Sequence, residues 1–179
     1  MNITLRALTE DDDLRAIVSL AERIWSEHYP GIISWAQIHY MLERTYRPHL
    51  IAAEIASGVR WLCATDDSGP CAFAAYAAQA DGRVRLDKLY VLRSHRGQGV
   101  ARRLLDELIE WCARAEVEQP VRRVYLTVNR NNSGSIEAYR RMGFSIEGSL
   151  VADIGHGFVM DDYVMGRPID SVRPVSSPA

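Results

Sequence analysis

Residues 92–108 read LRSHRGQGVARRLLDEL and stand between a strand-like segment and a helix-like segment. The preceding run RVRLDKLYV (83–91) is typical of a strand, and after Gly99 the apolar residues recur at helical spacing. The first N–H groups of a helix have no partner within it, and the helix dipole adds partial positive charge there. The stretch therefore predicts an anion-binding site at the start of this helix.

Four residues suit this site to a phosphate group. Gly97 and Gly99 have no Cβ, so a bulky anion can approach the backbone. Ala101 keeps the next turn small, and the planar guanidinium of Arg96 can bind two phosphate oxygens. Two common phosphate motifs are excluded. A dinucleotide fingerprint needs glycine where Arg102 stands, and no G-x-x-x-x-G-K-[ST] run occurs in the chain.

The remaining pattern, R-x-x-G-x-A, consists of Arg96, Gly99 and Ala101, and it opens an amphipathic helix. It resembles the pyrophosphate-binding motif of the GNAT superfamily, the acetyl-CoA-dependent N-acetyltransferases. The later segment VYLTVNRNNSGSIEAYRRMGF (124–144) is similar to the segment that follows in that superfamily: a strand, an asparagine, a helix with Ala-Tyr, then Gly-Phe. The resemblance extends over roughly residues 59–166 and implies acetyl-CoA as the acyl donor.

The predicted elements follow the order β-α-α-β-β-β-α-β-α-β-β, which indicates one mixed α/β unit without a repeat or linker. Thr9 is predicted to cap the first helix. Ser34 is predicted to cap the second, with Gln37 completing a capping box.

The resemblance implies a single GNAT-type domain over residues 1–168. Its central mixed sheet has about seven strands, flanked by about four or five helices. The strand at 83–91 splays from the strand at 122–128, and a cleft opens between them. Residues 169–179, rich in proline and serine, are predicted to form a flexible tail.

The resemblance also implies how the cofactor binds. The pantetheine arm pairs with backbone groups of Leu89 and Val91, and the pyrophosphate lies on the N–H groups of residues 97–102. Asn132 either binds the pantetheine portion or caps the following helix, or does both. The residues predicted to contact acetyl-CoA are Leu89, Tyr90, Val91, Arg96, Gly97, Gln98, Gly99, Val100, Ala101, Arg102, Asn132 and Tyr139.

The implied reaction is direct attack of an amine on the thioester, without an acyl-enzyme. Val91 N–H is the expected oxyanion donor. Tyr139 is predicted to be the general acid that protonates the departing thiolate; the alternative is an aromatic that packs on its helix face. Asp87 is predicted to be the base, but an ion pair with Arg85 or Lys88 explains it equally well. A water chain that ends at Asp87 or Glu27 is a further alternative.

The acceptor pocket is expected between the first two helices and the last hairpin. Its predicted residues are Glu27, His28, Tyr29 and Asp162. Aromatic walls with carboxylates suit a cationic amine, and the segment is similar to branches of the superfamily that acetylate polyamines and small amines. A surface position for His28 and a solvated turn charge for Asp162 are the alternatives.

Bulk composition narrows the remaining possibilities. The net charge of −2 over 179 residues argues against a non-specific nucleic-acid binder. Cys63, Cys71 and Cys112 show no metal-ligand spacing, so no metal is expected. Without a secretory signal or a membrane-length apolar run, reduced thiols in the cytoplasm are predicted. A homodimer through the last strands is possible. A longer acyl group, a peptide amino terminus as acceptor and a non-catalytic acyl-CoA-binding module are alternative functions.

Overall fold

The computed structural model describes residues 2–114 and 121–169. Within these ranges the chain forms seven strands, five α-helices and one 3-10 turn. In chain order they are β1 (Thr4–Ala7), α1 (Arg15–His28), α2 (Trp35–Thr45), α3 (Pro48–Ala56), β2 (Arg60–Asp66), β3 (Gly69–Ala78), β4 (Arg83–Val91), the 3-10 turn (Arg93–His95), α4 (Val100–Ala113), β5 (Arg123–Asn129), α5 (Ser133–Arg141), β6 (Ser145–Gly155) and β7 (Phe158–Pro168).

The strands form one sheet in the order β1-β2-β3-β4-β5-β7-β6. All neighbours are antiparallel except β4 and β5, which α4 joins as a crossover between parallel strands. Residues Cys71–Tyr76 of β3, an interior strand of the sheet, are all buried. Because successive side chains point to opposite faces, both faces of the sheet are covered there; α1 and α4 both pack on β3. The predicted mixed α/β domain is confirmed.

The parallel pair separates after a short contact. Only Arg83–Arg85 of β4 pair with Arg123–Tyr125 of β5. Just beyond this point Leu86 pairs with Tyr76 and Lys88 with Ala75, so Asp87 is an extra residue without a partner on β3. Such a β-bulge bends the strand and increases its twist. The predicted splay between the two strands is confirmed, and it leaves the carboxyl-terminal half of β4 without a neighbour on one side.

Two cap predictions meet different outcomes. Ser34 Oγ accepts a hydrogen bond from Gln37 N–H at 3.2 Å, which confirms the cap of α2. The Gln37 side chain does not close a capping box; it donates to the Val159 carbonyl and ties α2 to β7. Thr9 as the cap of α1 is wrong. Its N–H and hydroxyl bond to the Asp12 carboxylate in a turn, and α1 begins at Arg15.

The C-terminal end of the described chain is anchored. Ile169 donates its N–H to the Arg122 carbonyl at 3.0 Å and packs against the core. The rest of the predicted tail, residues 170–179, lies outside the described residues. Among the helices of the described ranges, none combines the length and the apolar character that a bilayer crossing requires.

Candidate active site

A cleft of about 610 Å³ lies where β4 and β5 diverge. Its walls come from α1, α2, β4, the start of α4, the end of β5, α5 and β7. One end opens on the loop that carries the two glycines of the sequence motif. The other end lies beneath α1 and is largely aromatic. The cleft brings together most of the predicted site residues, although they come from five different helices and strands and the loops beside them.

The phosphate end is formed by backbone. Gly97 and Gly99 have φ values of 75° and 78°, in the left-handed region that favours glycine. A Cβ on either residue would meet nothing within 4 Å, so the loop leaves open space above it. Within the described part of the chain no side chain caps α4, and the first helical bond runs from Arg103 N–H to the Gly99 carbonyl. The N–H groups of Val100 to Arg102 in the first turn therefore have no partner within the helix and can donate to an anion.

The side chains of this loop brace it. Arg96 Nε donates to the Val91 carbonyl at 3.1 Å, and its terminal nitrogen lies 3.1 Å from His28 Nδ1. Gln98 donates to the Ser94 carbonyl at 2.8 Å, and Arg102 donates to the Arg141 carbonyl. In this structure these three side chains hold the loop to α1, to the 3-10 turn and to α5. The anion site itself consists of main-chain donors.

The sequence analysis missed one pair that supports the same loop. His95 Nε2 lies 2.9 Å from Asp66 Oδ2, and His95 Nδ1 lies 2.8 Å from Ser94 Oγ. The contact ties the 3-10 turn to the end of β2, and both side chains are nearly buried. Asp66 and His95 are 29 residues apart, and no local pattern connects them.

The free edge of β4 continues from the phosphate end. Leu92 N–H donates to the Cys71 carbonyl of β3 at 2.9 Å. Backbone groups alternate direction along an antiparallel strand, so those of Leu89 and Val91 point away from β3 and into the gap. β5 has diverged there and does not pair with them. An extended ligand can therefore bind this edge as an added strand would. This unpaired edge leads to the open glycine loop, an arrangement that suits a pantetheine arm followed by a pyrophosphate.

Tyr139 on α5 lines the cleft, and its ring packs edge-on against Phe144 with centroids 5.8 Å apart. Burial raises the pKa of Tyr139 to about 12, so the phenol keeps its proton at neutral pH. Asn132 Oδ1 accepts from Ser135 N–H at 3.2 Å, which confirms its reading as the cap of α5. Buried Asn132 also lines the cleft.

Asp87 lines the cleft at the bulge, and its side chain is 29% exposed. Its carboxylate lies 2.6 Å from Arg85 Nε, so the predicted ion pair with Arg85 is present. Lys88 instead pairs with Glu54 at 2.9 Å and lies over the Trp61 ring. Burial raises the pKa of Asp87, while the neighbouring charges of Arg85 and Lys88 oppose the shift.

The acceptor residues predicted on α1 divide into two groups. His28 is held between Arg96 and Ser135 Oγ, and burial followed by the Arg96 charge lowers its pKa. Tyr29 stacks on Trp25 with centroids 4.3 Å apart, and its hydroxyl lies 3.2 Å from that of Tyr90. Both line the cleft, and His28 is partly buried. Glu27 lies outside the cleft lining and pairs with Arg23 at 3.3 Å.

Asp162 on β7 is only 5% exposed and lines the cleft. Its Oδ1 accepts no hydrogen bond from the described residues. Burial raises the pKa of Asp162, and a hydrogen bond from Thr127 opposes that shift. The alternative of a solvated turn charge is therefore wrong for Asp162. Its neighbour Asp161 is half exposed and pairs with Arg130 at 2.9 Å.

The chain is similar to several known acetyltransferases. It is 33% identical to a spermine/spermidine N(1)-acetyltransferase of Bacillus subtilis (strain 168) over 70 residues, which are 39% of this chain. That match spans 44% of the length of the Bacillus relative, as does the match to its counterpart in the natto strain. An uncharacterized N-acetyltransferase of Mycobacterium bovis is 31% identical over 163 residues, 90% of this chain and 99% of the relative.

The fold has a solved counterpart. The crystal structure of PaiA N-acetyltransferase from Thermoplasma acidophilum, in complex with coenzyme A, superimposes with a TM-score of 0.79 at 23% identity. The superposition covers 94% of this chain and 99% of that one. A sequence model described as the acetyltransferase (GNAT) family matches residues 14–144, which include both the glycine loop and Tyr139. The chain therefore belongs to the GNAT family of acetyltransferases, for which acetyl-CoA is the acyl donor.

Proposed function

We propose that this protein transfers the acetyl group of acetyl-CoA to the primary amine of a small molecule by direct attack. The observation that carries the proposal is the continuous path from the open N-terminus of α4, along the unpaired edge of β4, to the aromatic end of the cleft. A donor bound along this path has its reactive end beside Tyr139, and an amine is expected to approach from the side of α1 and β7.

In this proposal the chain's own residues divide the work. The N–H groups of residues 97–102 bind the pyrophosphate, and Leu89 and Val91 orient the arm through their backbone. Acetyl-CoA, when bound, supplies a thioester carbonyl that an amine can attack. Val91 N–H donates to the carbonyl oxygen as negative charge develops on it, in a cleft that excludes most water.

Tyr139 is proposed to act on the sulfur. A phenol of pKa about 12 is a weaker acid than a thiol of pKa about 8.5, so full proton release to the sulfur would be uphill by roughly three to four pKa units. We therefore propose that Tyr139 donates a hydrogen bond to the sulfur and passes its proton on only as the amine nitrogen supplies another. Tyr139 then ends the cycle protonated.

Small amines, including polyamines, are the proposed acceptors. The end of the cleft beneath α1 combines aromatic rings, among them Trp25, Tyr29 and Tyr46, with carboxylates, a combination that suits an ammonium ion. The similarity to the Bacillus spermine/spermidine enzyme supports this class. The acceptor must lose a proton before it attacks, and Asp87 and Asp162 are the two carboxylates that line the cleft.

A thiol-release assay tests the proposal. Purified protein is incubated with acetyl-CoA and, separately, spermidine, small monoamines, amino acids and short peptides. Release of CoA with at least one small amine is the expected result, with mass spectrometry showing the acetylated product. Turnover with peptides but with no small amine would indicate a peptide as the acceptor. Tight binding of CoA without turnover across the panel would contradict an enzyme and favour a sensor.

We also propose a homodimer through the last strands and a cytoplasmic location. In the described sheet β6 is an edge strand, and the apolar residues Leu150, Val151 and Val159 on β6 and β7 are at least half exposed. Exposed edges and apolar patches of this kind favour pairing between copies. Light scattering during size-exclusion chromatography tests the dimer, and Val151→Lys should shift it toward the monomer. A monomeric wild-type protein would contradict it.

A further inference from the structure

The Asp162 side chain is unusual among the charged groups of the described chain. Asp162 is almost fully buried on β7, the strand that lies between β5 and β6. One of its carboxylate oxygens accepts no hydrogen bond from a described residue. A buried carboxylate is strongly unfavourable unless a cation or several donors compensate it. The fold gains no evident stability from this aspartate, which indicates a role for a ligand.

Among the described residues, none contributes a positive charge that shifts the pKa of Asp162. The Thr127 hydroxyl of β5 is close enough to lower the pKa of Asp162, and Asn129 of the same strand is the partner of Asp162 in register. Leu150 of β6 is the partner on the other side. The nearby titratable groups are the Tyr29 phenol of α1 and the carboxylate of Asp161 on β7 itself.

The arginine that lies beside the neighbouring Asp161 is already engaged. Arg130 pairs with Asp161 and stacks over the Tyr163 ring, 5.1 Å from its centroid. Tyr29, whose electrostatic neighbours are Tyr90, Tyr139 and Asp162, connects Asp162 to the aromatic end of the cleft. The cleft therefore presents an uncompensated carboxylate among aromatic rings, which is the chemistry that recognises an organic ammonium ion.

We infer that Asp162 binds the ammonium group of the acceptor and accepts its proton. This inference rests on the proposed function and names the residue that prepares the amine for attack. Asp162 Oδ1 is not exposed to solvent. The carboxylate therefore rotates about χ2, a torsion whose energy profile is broad, to contact the ammonium group. Asp87 is the poorer base, because Arg85 already compensates its charge at 2.6 Å.

The proton balance follows from this assignment. The ammonium nitrogen gives one proton to Asp162, and the freed lone pair forms the C–N bond to the acetyl carbon. The C–S bond breaks, and its electron pair leaves with the sulfur. The nitrogen loses a second proton as the amide forms, and this proton ends on the sulfur by way of Tyr139. Asp162 then releases its proton to solvent, so each turnover yields one amide, one thiol and one proton.

The test compares Asp162→Asn with Asp161→Asn, a matched change on the adjacent, half-exposed residue. With an amine that the wild-type protein acetylates, Asp162→Asn should lower kcat/KM at pH 7 by about 100-fold or more, the range of general-base catalysis. Asp161→Asn should stay within about threefold, since surface ion pairs contribute little. Acetyl-CoA affinity should be unchanged in both. The Asp162→Asn defect should shrink as pH rises and more of the amine is already neutral.

Thermal unfolding provides a readout that is independent of activity. The folded pKa of Asp162 is raised, so its charge lowers stability above the ordinary aspartate pKa of 3.8, and this loss disappears as pH falls below that value. Asp162→Asn should therefore raise Tm at pH 7, with little change below pH 3.8. A purely structural aspartate would instead give a lower Tm on substitution.

The outcomes separate the inference from the proposed function. If the wild-type protein acetylates no amine, the proposed function fails. If it acetylates an amine and Asp162→Asn does so at the same rate across pH, the proposed function stands and the inference is overturned. An equal loss in both aspartate variants, or a rate defect in Asp162→Asn that does not change with pH, would also overturn it.

Discussion

The two ends of the cleft are built in different ways. The phosphate end consists of main-chain groups from one continuous stretch, from Leu89 on β4 to Arg103 on α4. The acceptor end consists of side chains from α1, α5 and β7, which are far apart in sequence. Backbone donors in a helix-start loop tolerate many side chains, whereas the acceptor end depends on single residues. Cofactor binding and acceptor choice can thus vary separately. Substitutions at the phosphate end should impair cofactor binding, and those at the acceptor end should impair use of the amine.

The largest effect is expected at Gly99. Gly99→Glu places a side chain at φ 78°, a conformation that costs about 1–3 kcal/mol for a non-glycine residue, and adds a negative charge at the anion site. Acetyl-CoA affinity, measured by calorimetry, should fall about 100-fold or more. Gly148→Ala on β6 is the control, because Gly148 has no positive φ and a Cβ there meets nothing within 4 Å. Retained CoA binding in Gly99→Glu would contradict a pyrophosphate site on this loop.

Tyr139→Phe should impair the reaction without impairing cofactor binding. Loss of the phenol should reduce kcat by about 100-fold, within the range of a positioned acid, while acetyl-CoA affinity stays the same. The ring still packs on Phe144, so Tm should change little. Tyr125→Phe on β5, where the ring lies under Arg83 and outside the cleft lining, is the matched control. Unchanged turnover in Tyr139→Phe would remove its role.

The same contrast explains what the sequence could predict. The glycine loop, the strand before it and the helix after it are contiguous, so local rules and the family resemblance located them together. Asp162 and Thr127 meet only because β7 pairs with β5 in a particular register. The pairing of Asp66 with His95 likewise depends on how β2 ends beside the 3-10 turn. Such long-range contacts have no signature in one sequence, and charge alone did not distinguish buried Asp162 from exposed Asp161.

Local rules also failed where a side chain had two possible partners. Thr9 followed by acids looked like a helix start, but Asp12 binds the Thr9 N–H and forms a separate turn. Gln37 occupies the capping-box position, yet its side-chain amide donates to the Val159 carbonyl of β7. In both cases a competing hydrogen bond, invisible in the spacing, decided the structure.

A smaller effect is expected where side chains only support the loop that carries Gly97 and Gly99. His95→Ala removes the contact to Asp66 that holds the loop, a hydrogen bond worth about 1 kcal/mol. Acetyl-CoA affinity should fall about fivefold, while kcat at saturating acetyl-CoA stays within about twofold. Isothermal titration and saturation kinetics measure the two quantities. A large loss of kcat without a change in affinity would place His95 in the chemistry instead of the loop.

The smallest effect is expected at Asp87, and it sharpens the comparison most. Both Asp87 and Asp162 line the cleft and have raised pKa values, but among the described residues a guanidinium pairs with Asp87 and none pairs with Asp162. Asp87→Asn keeps the bulge and removes a charge that Arg85 already compensates, so kcat/KM should fall less than about fivefold, in line with the small energies of partly exposed ion pairs. Its pH–rate profile should keep the wild-type acidic limb. A 100-fold loss with that limb removed would make Asp87 the base and move deprotonation of the amine from β7 to the bulge of β4.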